Sequence, residues 1–157
     1  MNMKYLFSLI LIFFVIQITP SQTNEKIQWK TWTELEEAFT TKPKPVFIYF
    51  HAHWCNYCKK LKREVFTKKK VIEKINSDYY AVKMDVETLD TIVFDGVTFT
   101  NKQAESKRNG IHELPLLLAS REDKLFTLPA TLLFNRDFKI RERLFTYYTS
   151  KTILEKF

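Results

Sequence analysis

The two cysteines of this chain, Cys55 and Cys58, lie in the stretch "HAHWCNYCKK" at positions 51–60. Two thiols separated by two residues can form a reversible disulfide and exchange it with another molecule. The histidines His51 and His53 stand just before them, and imidazole and thiolate are both ligands for zinc and copper. This stretch alone is therefore compatible with a redox dithiol, with a metal site, or with two thiols that share no role.

The residues around Cys55 predict where it lies in the fold. The apolar run "VFIYF" at 46–50 predicts a strand that is buried on both faces, and helical spacing follows it at Cys58, Leu61 and Val65. Cys55 is therefore predicted at a helix N terminus, where free backbone N–H groups and the helix dipole stabilise an anion. Because the thiolate is the attacking species, we expect Cys55 to attack a substrate and the more deeply buried Cys58 to resolve the mixed disulfide.

A second strand and two further helices frame this region. The stretch "YYAVKMDV" at 79–86 predicts a strand, and the order strand, helix, strand predicts that it runs parallel to the strand at 46–50. The stretch "TWTELEEAFTTK" predicts a helix that is capped by Thr33, with Glu36 completing a capping box. Thr67 is predicted to cap another helix, whose apolar positions are Val71, Ile72 and Ile75.

The segment 88–128 has a less regular pattern. Asp95–Gly96, between two short apolar runs, predicts a tight β-hairpin. A polar linker is predicted at 101–110 and a short helix at 111–119, where His112 is expected to be a capping or surface residue. A structureless loop of this length would be unusual, so we interpret 88–128 as an ordered insertion that shapes the choice of partner.

The C-terminal part predicts two strands and a helix. The stretch "LPATLLF" at 128–134 predicts a strand that opens at Pro129, and the alternating pattern of "FKIRERLF" predicts a second one. The final residues "TSKTILEKF" predict a short closing helix, capped by Thr149 or Ser150.

Taken together, these residues resemble the thioredoxin-like superfamily, in particular its exported members with a "WCxxCKK" site. The stretches that carry the resemblance are "VFIYFHAHWCNYCKK" at 46–60, "VKMDVE" at 82–87 and "LPATLLF" at 128–134. The resemblance implies an α/β fold, in which helices flank a central mixed β-sheet and the insertion separates a βαβ half from a ββα half. It also implies a thiol–disulfide oxidoreductase with a redox-active disulfide between Cys55 and Cys58.

The same resemblance implies a substrate groove beside the dithiol. Pro129 matches a proline that follows a cis peptide bond in this superfamily, and X-Pro is the bond at which the cis form costs little. The backbone of Leu128 would then be free to pair with a substrate segment as an added strand, and Trp54 and Tyr57 would line the groove. An ordinary proline at the start of a strand is the alternative interpretation.

Three departures from the superfamily pattern bear on the mechanism. Tyr49 stands where thioredoxin has a buried aspartate, and a phenol is a poor proton acceptor near neutral pH. Lys83 matches the basic residue that pairs with that aspartate, and without it Lys83 could simply be solvated. A glycine that is common after the last strand is replaced within 144–146, where a bulky side chain would narrow the groove.

The N-terminal residues predict export. Residues 1–21 have the order of a signal peptide, with Lys4, an apolar run at 5–16 and small residues before a cut. The run is shorter than the ~20 residues of a membrane-spanning helix. We therefore expect a single periplasmic or secreted domain at 22–157, without stable membrane insertion after cleavage. The net charge of +7 is interpreted as a solvated basic face and not as a nucleic-acid surface.

The sequence thus predicts an exported enzyme without a cofactor that reduces, oxidises or isomerises disulfides of exported proteins, with reduction favoured. A membrane thiol–disulfide transporter is the electron donor that the resemblance implies. The alternative hypothesis is an exported protein that binds or delivers copper or zinc on the same fold, with His51, His53 and the two thiols as ligands. A binding module with an incidental dithiol is the third.

Overall fold

The computed structural model describes residues 26–157, and the predicted signal peptide at 1–21 lies outside the described residues. The strands are β1 (Trp29–Lys30), β2 (Val46–His51), β3 (Tyr80–Asp85), β4 (Ile92–Phe94), β5 (Val97–Phe99), β6 (Ala130–Phe134) and β7 (Ile140–Leu144). The helices are α1 (Trp32–Thr41), α2 (Asn56–Glu64), α3 (Lys69–Asp78), α4 (Glu113–Ala119) and α5 (Ser150–Lys156), with a 3₁₀ turn at Lys102–Glu105.

Five strands form one mixed sheet in the order β1-β3-β2-β6-β7. The strands β1 and β2 run parallel to β3, which confirms the predicted βαβ unit, whereas β6 is antiparallel to β2 and to β7. The two-residue strand β1 was not predicted, because it is too short to show an alternating pattern. It exists because Trp29 and Lys30 pair with Ala81 and Val82 of β3.

The central strand β2 is buried on both faces, as its continuous apolar run predicts. On one face, Phe47 contacts the rings of Trp29 and Phe66, with ring centroids about 6 Å apart. On the other face, Phe50 stacks on Trp32 of α1 at 6.5 Å. Because both faces are covered, β2 forms a rigid base for the residues that follow it. Within residues 26–157, none of the helices is both long and apolar enough to cross a bilayer.

Two of the predicted helix caps are wrong. The helix α1 starts two residues earlier than expected, with Thr31 as its cap and Glu34 completing the capping box. The predicted box partner Glu36 instead accepts a hydrogen bond from the backbone N–H of Asp95, at 3.0 Å. Likewise, Thr67 donates to the carbonyl of Arg63 at the end of α2 and does not cap α3. The predicted cap of α5 is confirmed as Thr149.

The segment 88–128 is ordered, and polar side chains hold much of it in place. The predicted hairpin is confirmed, and Asp95 and Gly96 both adopt positive φ, at 51° and 70°. The stretch predicted as a polar linker contains the 3₁₀ turn, and the buried Asn101 fixes it. The side chain of Asn101 donates to the carbonyls of Thr88 and Gly110 and accepts from the N–H of Ala104.

His112 is a second polar anchor of this segment. It caps α4, because its Nδ1 accepts from the N–H of Leu114 at 3.2 Å. Its Nε2 lies 3.1 Å from the carbonyl of Asp90, and its backbone N–H donates to the carbonyl of Val86. The expected capping role is confirmed, but a surface position is wrong because the residue is fully buried. The segment is thus tied to the end of β3 beside the dithiol.

Candidate active site

The two cysteines stand where the end of β2 meets the start of α2. Cys55 is the N-cap residue of α2, and its Sγ accepts a hydrogen bond from the backbone N–H of Cys58 at 3.1 Å. The two sulfurs are joined in a disulfide, and the Cα atoms are 5.2 Å apart. Cys55 is 5% exposed and Cys58 only 1%. Cys55 is therefore the more accessible of the two, and the backbone N–H of Cys58 is a donor that would stabilise a thiolate at Cys55 in the reduced protein.

Tyr49 lies beneath the dithiol, at the position where the resemblance implies an aspartate. Its side chain is buried, and its Oη donates to the backbone carbonyl of Cys58 at 3.1 Å. Burial raises the pKa of this phenol far above its usual range. Lys83 is exposed, with its Nζ 5.8 Å from the ring centroid of Trp29. A neutral, fixed phenol thus replaces an ionisable pair, and Tyr49 takes no proton from the thiols near neutral pH.

The two histidines before the dithiol have different partners. The ring of His51 stacks on Tyr49 at 5.5 Å, and burial lowers the pKa of His51. His53 is exposed, and its Nδ1 lies 3.3 Å from Oε2 of Glu87. In the part of the chain that the structure describes, no group of three or more His, Cys, Asp or Glu side chains is arranged to hold a metal ion. The proposed N2S2 ligand set is not brought together here.

On one side of the dithiol, Glu87 joins several side chains into a cluster. Its Oε1 accepts from the indole Nε1 of Trp54 at 2.7 Å and from Nδ2 of Asn109 at 2.5 Å. With His53 on the other oxygen and Arg108 beside it, these residues line one shallow hollow. Burial acts to raise the pKa of Glu87, but hydrogen bonds from Trp54 and Asn109 outweigh it and hold the pKa below its ordinary value. Glu87 is therefore ionised near neutral pH.

Sequence reasoning assigned no role to Glu87 or Asn109. A signal for Glu87 exists, because it follows the end of β3, and parallel strands bring their C-terminal ends to one edge of a sheet. No comparable signal exists for Asn109, which lies in the stretch predicted as a linker. Its proximity to Trp54 depends on how the whole segment 88–128 folds.

The Leu128–Pro129 peptide bond is cis, and Pro129 is buried while Leu128 is partly exposed. The strand β6 begins directly after this bond, and Ala130 pairs with Phe50 of β2. Pro129 therefore lies beside the end of β2 that leads into the dithiol. The backbone at Leu128 precedes the paired part of β6, where an extended segment could be added to the sheet.

The opposite side of the dithiol is lined by aromatic rings. The ring of Tyr147 lies 6.4 Å from that of Tyr57, which stands between the two cysteines in sequence. Nζ of Lys60 lies 4.4 Å from the centroid of the Tyr147 ring, and Tyr147 Oη donates to Glu64 at 3.0 Å. Tyr57 is 60% exposed, so this side offers an accessible aromatic surface.

Phe145 occupies the region where a glycine is common in the resembling proteins. It follows Leu144, which pairs with Thr131 of β6. Its ring is partly exposed and is covered by the guanidinium of Arg121, 3.9 Å from the ring centroid. A bulky side chain therefore stands in this region, and the cation of Arg121 lies on its ring.

The sequence matches the family model of the thioredoxin-like domain over residues 33–157. This chain belongs to that family. The matched region of the thioredoxin-like domain includes both cysteines, Pro129 and all strands of the large sheet except β1. No curated protein sequence matches the chain.

Solved structures share the fold of this thioredoxin-like domain at low identity. The DsbH oxidoreductase is 16% identical with a TM-score of 0.59, and the match covers 90% of this chain and 88% of that one. A thioredoxin from Thermus thermophilus is 16% identical with a TM-score of 0.58, covering 83% and 84%. A putative disulphide-isomerase from Bacteroides thetaiotaomicron is 21% identical with a TM-score of 0.55, covering 84% and 90%. These likenesses confirm the predicted fold.

Family membership and the dithiol together define the class of enzyme. The thioredoxin-like domain carries its only two cysteines as a C-x-x-C pair, joined in a disulfide at the start of α2. Such a pair in this fold is the reactive group of a thiol–disulfide oxidoreductase. The predicted enzyme class is therefore confirmed.

Proposed function

We propose that this thioredoxin-like domain is exported and reduces the disulfides of other exported proteins. The observation that carries the proposal is Cys55 at the N-cap of α2, bonded to Cys58 and hydrogen-bonded to its backbone N–H. The predicted signal peptide at 1–21 supports a periplasmic or secreted location. A membrane thiol–disulfide transporter would return electrons to the oxidised pair.

The proposed reaction transfers two electrons in two exchange steps. The Cys55 thiolate attacks one sulfur of the substrate disulfide, the substrate S–S bond breaks, and its other sulfur leaves as a thiolate. The Cys58 thiolate then attacks Cys55 Sγ, which forms the Cys55–Cys58 disulfide and releases the second substrate thiolate. Because Tyr49 stays protonated, the proton of Cys58 passes to the departing thiolate or to solvent. The same steps in reverse would oxidise a substrate dithiol.

Substrate contacts are assigned to the surface around the dithiol. Trp54 and Tyr57 are 50% and 60% exposed, which suits side chains that bind a partner. The backbone of Leu128, before the cis bond to Pro129, would pair with an extended substrate segment. We expect this pairing to bring the substrate sulfur to Cys55.

A variant that cannot resolve its mixed disulfide tests the proposed chemistry. We expect Cys58→Ser to accumulate mixed disulfides between Cys55 and exported proteins, visible on a non-reducing gel. The matched variant Cys55→Ser should form none, because it lacks the attacking thiol. The variants His51→Ala and His53→Ala should keep exchange activity. Stoichiometric copper or zinc that is lost on changing either histidine, without trapped adducts, would support metal delivery and contradict the proposal.

The direction of transfer is tested by the reduction potential of the Cys55–Cys58 pair. A reductase requires a potential more negative than that of its substrates. Equilibration with glutathione at defined ratios should therefore leave the pair oxidised under conditions in which a typical oxidase is reduced. The order of thiol reactivity is a second test. In the reduced protein, an alkylating agent at mildly acidic pH should modify Cys55 before Cys58, and the reverse order would exchange their roles.

We also propose that the segment 88–128 governs partner choice and not the exchange chemistry. Among residues 26–157, the large apolar side chains that stand exposed lie either at the dithiol or in this segment: Trp54, Tyr57, Leu89, Val93, Val97, Leu117 and Leu125. Large apolar side chains that are exposed to solvent are the kind of residue that protein-binding surfaces use.

The test is a double variant, Leu117→Ser with Leu125→Ser, in the Cys58→Ser background. Both side chains are largely exposed, at 65% and 89%, so we expect little change in stability. The variant should trap fewer exported proteins while reacting normally with a small disulfide. An unchanged set of adducts, or an equal loss of both activities, would argue against a recognition role.

A further inference from the structure

We propose that Arg121 is a specificity-determining residue that selects substrate segments with a carboxylate next to the reacting cysteine. The proposal rests on the proposed function, because it assumes that a substrate segment pairs with the backbone at Leu128. It concerns a side chain to which the sequence analysis gave no role.

The strand register places Phe145 beside the substrate edge. Thr131 pairs with Leu144 across β6 and β7, so Phe145, the residue that follows β7, lies at the level of Ala130. Ala130 directly follows Pro129. Two residues further on is Tyr147, whose ring lies 6.4 Å from the ring of Tyr57. The chain after β7 therefore runs along the dithiol on the side opposite Glu87.

Two contacts hold the guanidinium of Arg121 at this edge. One is the ring of Phe145, whose centroid lies 3.9 Å from Cζ. The other is Thr127, whose Oγ1 accepts from Nη2 at 2.8 Å. Thr127 immediately precedes Leu128. A guanidinium between Thr127 and Phe145 therefore lies beside any segment that pairs with the backbone of Leu128, and the stacking restricts its orientation.

Arg121 keeps most of its donors and its full charge for a ligand. A guanidinium has five N–H donors in a planar fork, and here one nitrogen is used by Thr127. Among residues 26–157, none of the ion pairs involves Arg121, although Glu122 and Asp123 follow it in sequence. A planar fork of this kind matches a carboxylate in a two-point hydrogen bond, which a lysine or an amide cannot reproduce.

Lys60, another cation on this side, is a weaker candidate for the same role. Its Nζ rests on Tyr147 at 4.4 Å, but it is also 3.9 Å from Glu64. The charge of Glu64 offsets part of its attraction for a substrate anion. A substrate carboxylate is therefore expected to prefer Arg121.

The test compares two symmetric peptide disulfides that differ only beside the cysteine. Each is a disulfide-linked dimer of one short peptide, with Glu on both sides of the cysteine in one and Gln in the other. The pre-reduced protein is mixed with each dimer, and the second-order rate constant of reduction is measured. We expect the Glu dimer to react about three- to fivefold faster at low salt. Because salt screens exposed charges, the ratio of the two rate constants should fall towards one near 1 M salt.

Two variants show whether Arg121 causes the preference. Arg121→Gln should abolish it by slowing the Glu dimer alone, and an unchanged rate with the Gln dimer shows that the groove is intact. Arg121→Lys should keep only part of the preference for the Glu dimer, because a lysine has the charge but not the planar guanidinium that binds a carboxylate at two points. The matched control is Arg136→Gln, which removes the same charge in the turn at the far end of β6. This control should keep the full preference.

The outcomes separate this inference from the proposed function. Bis(2-hydroxyethyl) disulfide is neutral and small, so all variants should reduce it at the same rate. If the wild-type protein does not reduce it at all, the proposed function is wrong. If it is reduced normally but the two peptide dimers react equally, or Arg136→Gln loses the preference as Arg121→Gln does, the role of Arg121 is wrong.

Discussion

The large sheet and the segment 88–128 are stabilised by different kinds of contact. In the sheet, every residue of β6 is buried and so are all but the last of β2, so apolar packing dominates. In the segment, Leu114 and Ala119 join the core, but several large apolar side chains point into solvent, and the buried polar residues Asn101 and His112 bind backbone groups. Apolar burial is worth more and depends less on geometry than single hydrogen bonds. We therefore expect the sheet to be the more rigid region and the segment 88–128 to tolerate more changes of conformation and sequence.

The largest loss of stability is expected from a substitution in the apolar core of the large sheet. Phe47 is fully buried between Trp29 and Phe66, so Phe47→Ala leaves a cavity and should lower the free energy of unfolding by about 3–5 kcal/mol. Urea unfolding of the oxidised protein measures this change in the free energy of unfolding. The control Leu125→Ala changes a side chain that is 89% exposed and should cost less than about 0.5 kcal/mol. Similar losses for both variants would contradict the comparison.

A smaller effect is expected from the polar anchor His112. In His112→Ala, the carbonyl of Asp90 and the N–H of Leu114 lose a partner in a buried place. The free energy of unfolding should fall by about 1–3 kcal/mol. Amide hydrogen exchange should increase mainly within 88–120, while β2 and β6 stay protected. Uniformly faster exchange across the central sheet would mean that the two regions unfold as one unit.

Removing the N-cap of α1 should lower the free energy of unfolding by less than the change at His112. Thr31→Ala removes the side-chain bond to the N–H of Glu34 and should cost about 1 kcal/mol. Thr33→Ala is the matched variant, because Thr33 lies inside the helix and makes no capping bond there. It should leave the urea midpoint almost unchanged. A larger loss with Thr33→Ala would restore the cap predicted from the sequence.

The smallest effect, and the one that depends on pH, is expected at Glu87, which links the two regions. Its pKa in the folded protein lies below the ordinary value of 4.5. The stabilisation is therefore present above that value and is lost as the pH falls through the lower, folded pKa. Glu87→Gln should lower the free energy of unfolding by roughly 0.5 kcal/mol at pH 7. The difference from wild type should vanish well below pH 4.5, and a difference that persists there would exclude the charge as its cause.

Much of the scaffold and the reactive pair could be predicted because they depend on local pattern. The apolar run of β2, the hairpin at Asp95–Gly96 and the helix start at Cys55 each follow from residues that are adjacent in sequence. The cap of α1 shows where such reasoning ends. The stretch "TWTELEE" contains two overlapping capping boxes, one starting at Thr31 and one at Thr33. Local pattern cannot choose between them.

Tertiary packing made that choice, and it also set the surroundings of the dithiol. Trp32 packs against Phe50 and Phe94, so the helix must include it and Thr31 becomes the cap. In the same way, Glu87 meets Asn109, and Arg121 meets Phe145, across more than twenty residues of sequence.

The fold family, the βαβ order and the reactive cysteine pair could be predicted from residue pattern alone, because periodicity and a short motif are local properties of the chain. The surroundings of that pair depend on how distant segments pack together. The Glu87 side is polar and tied to the segment 88–128, and the side of Phe145 and Tyr147 is aromatic and carries cations. The physical reason is that hydrogen bonds and cation–ring contacts act over only a few ångströms. Such contacts exist only after the apolar core has brought distant segments together.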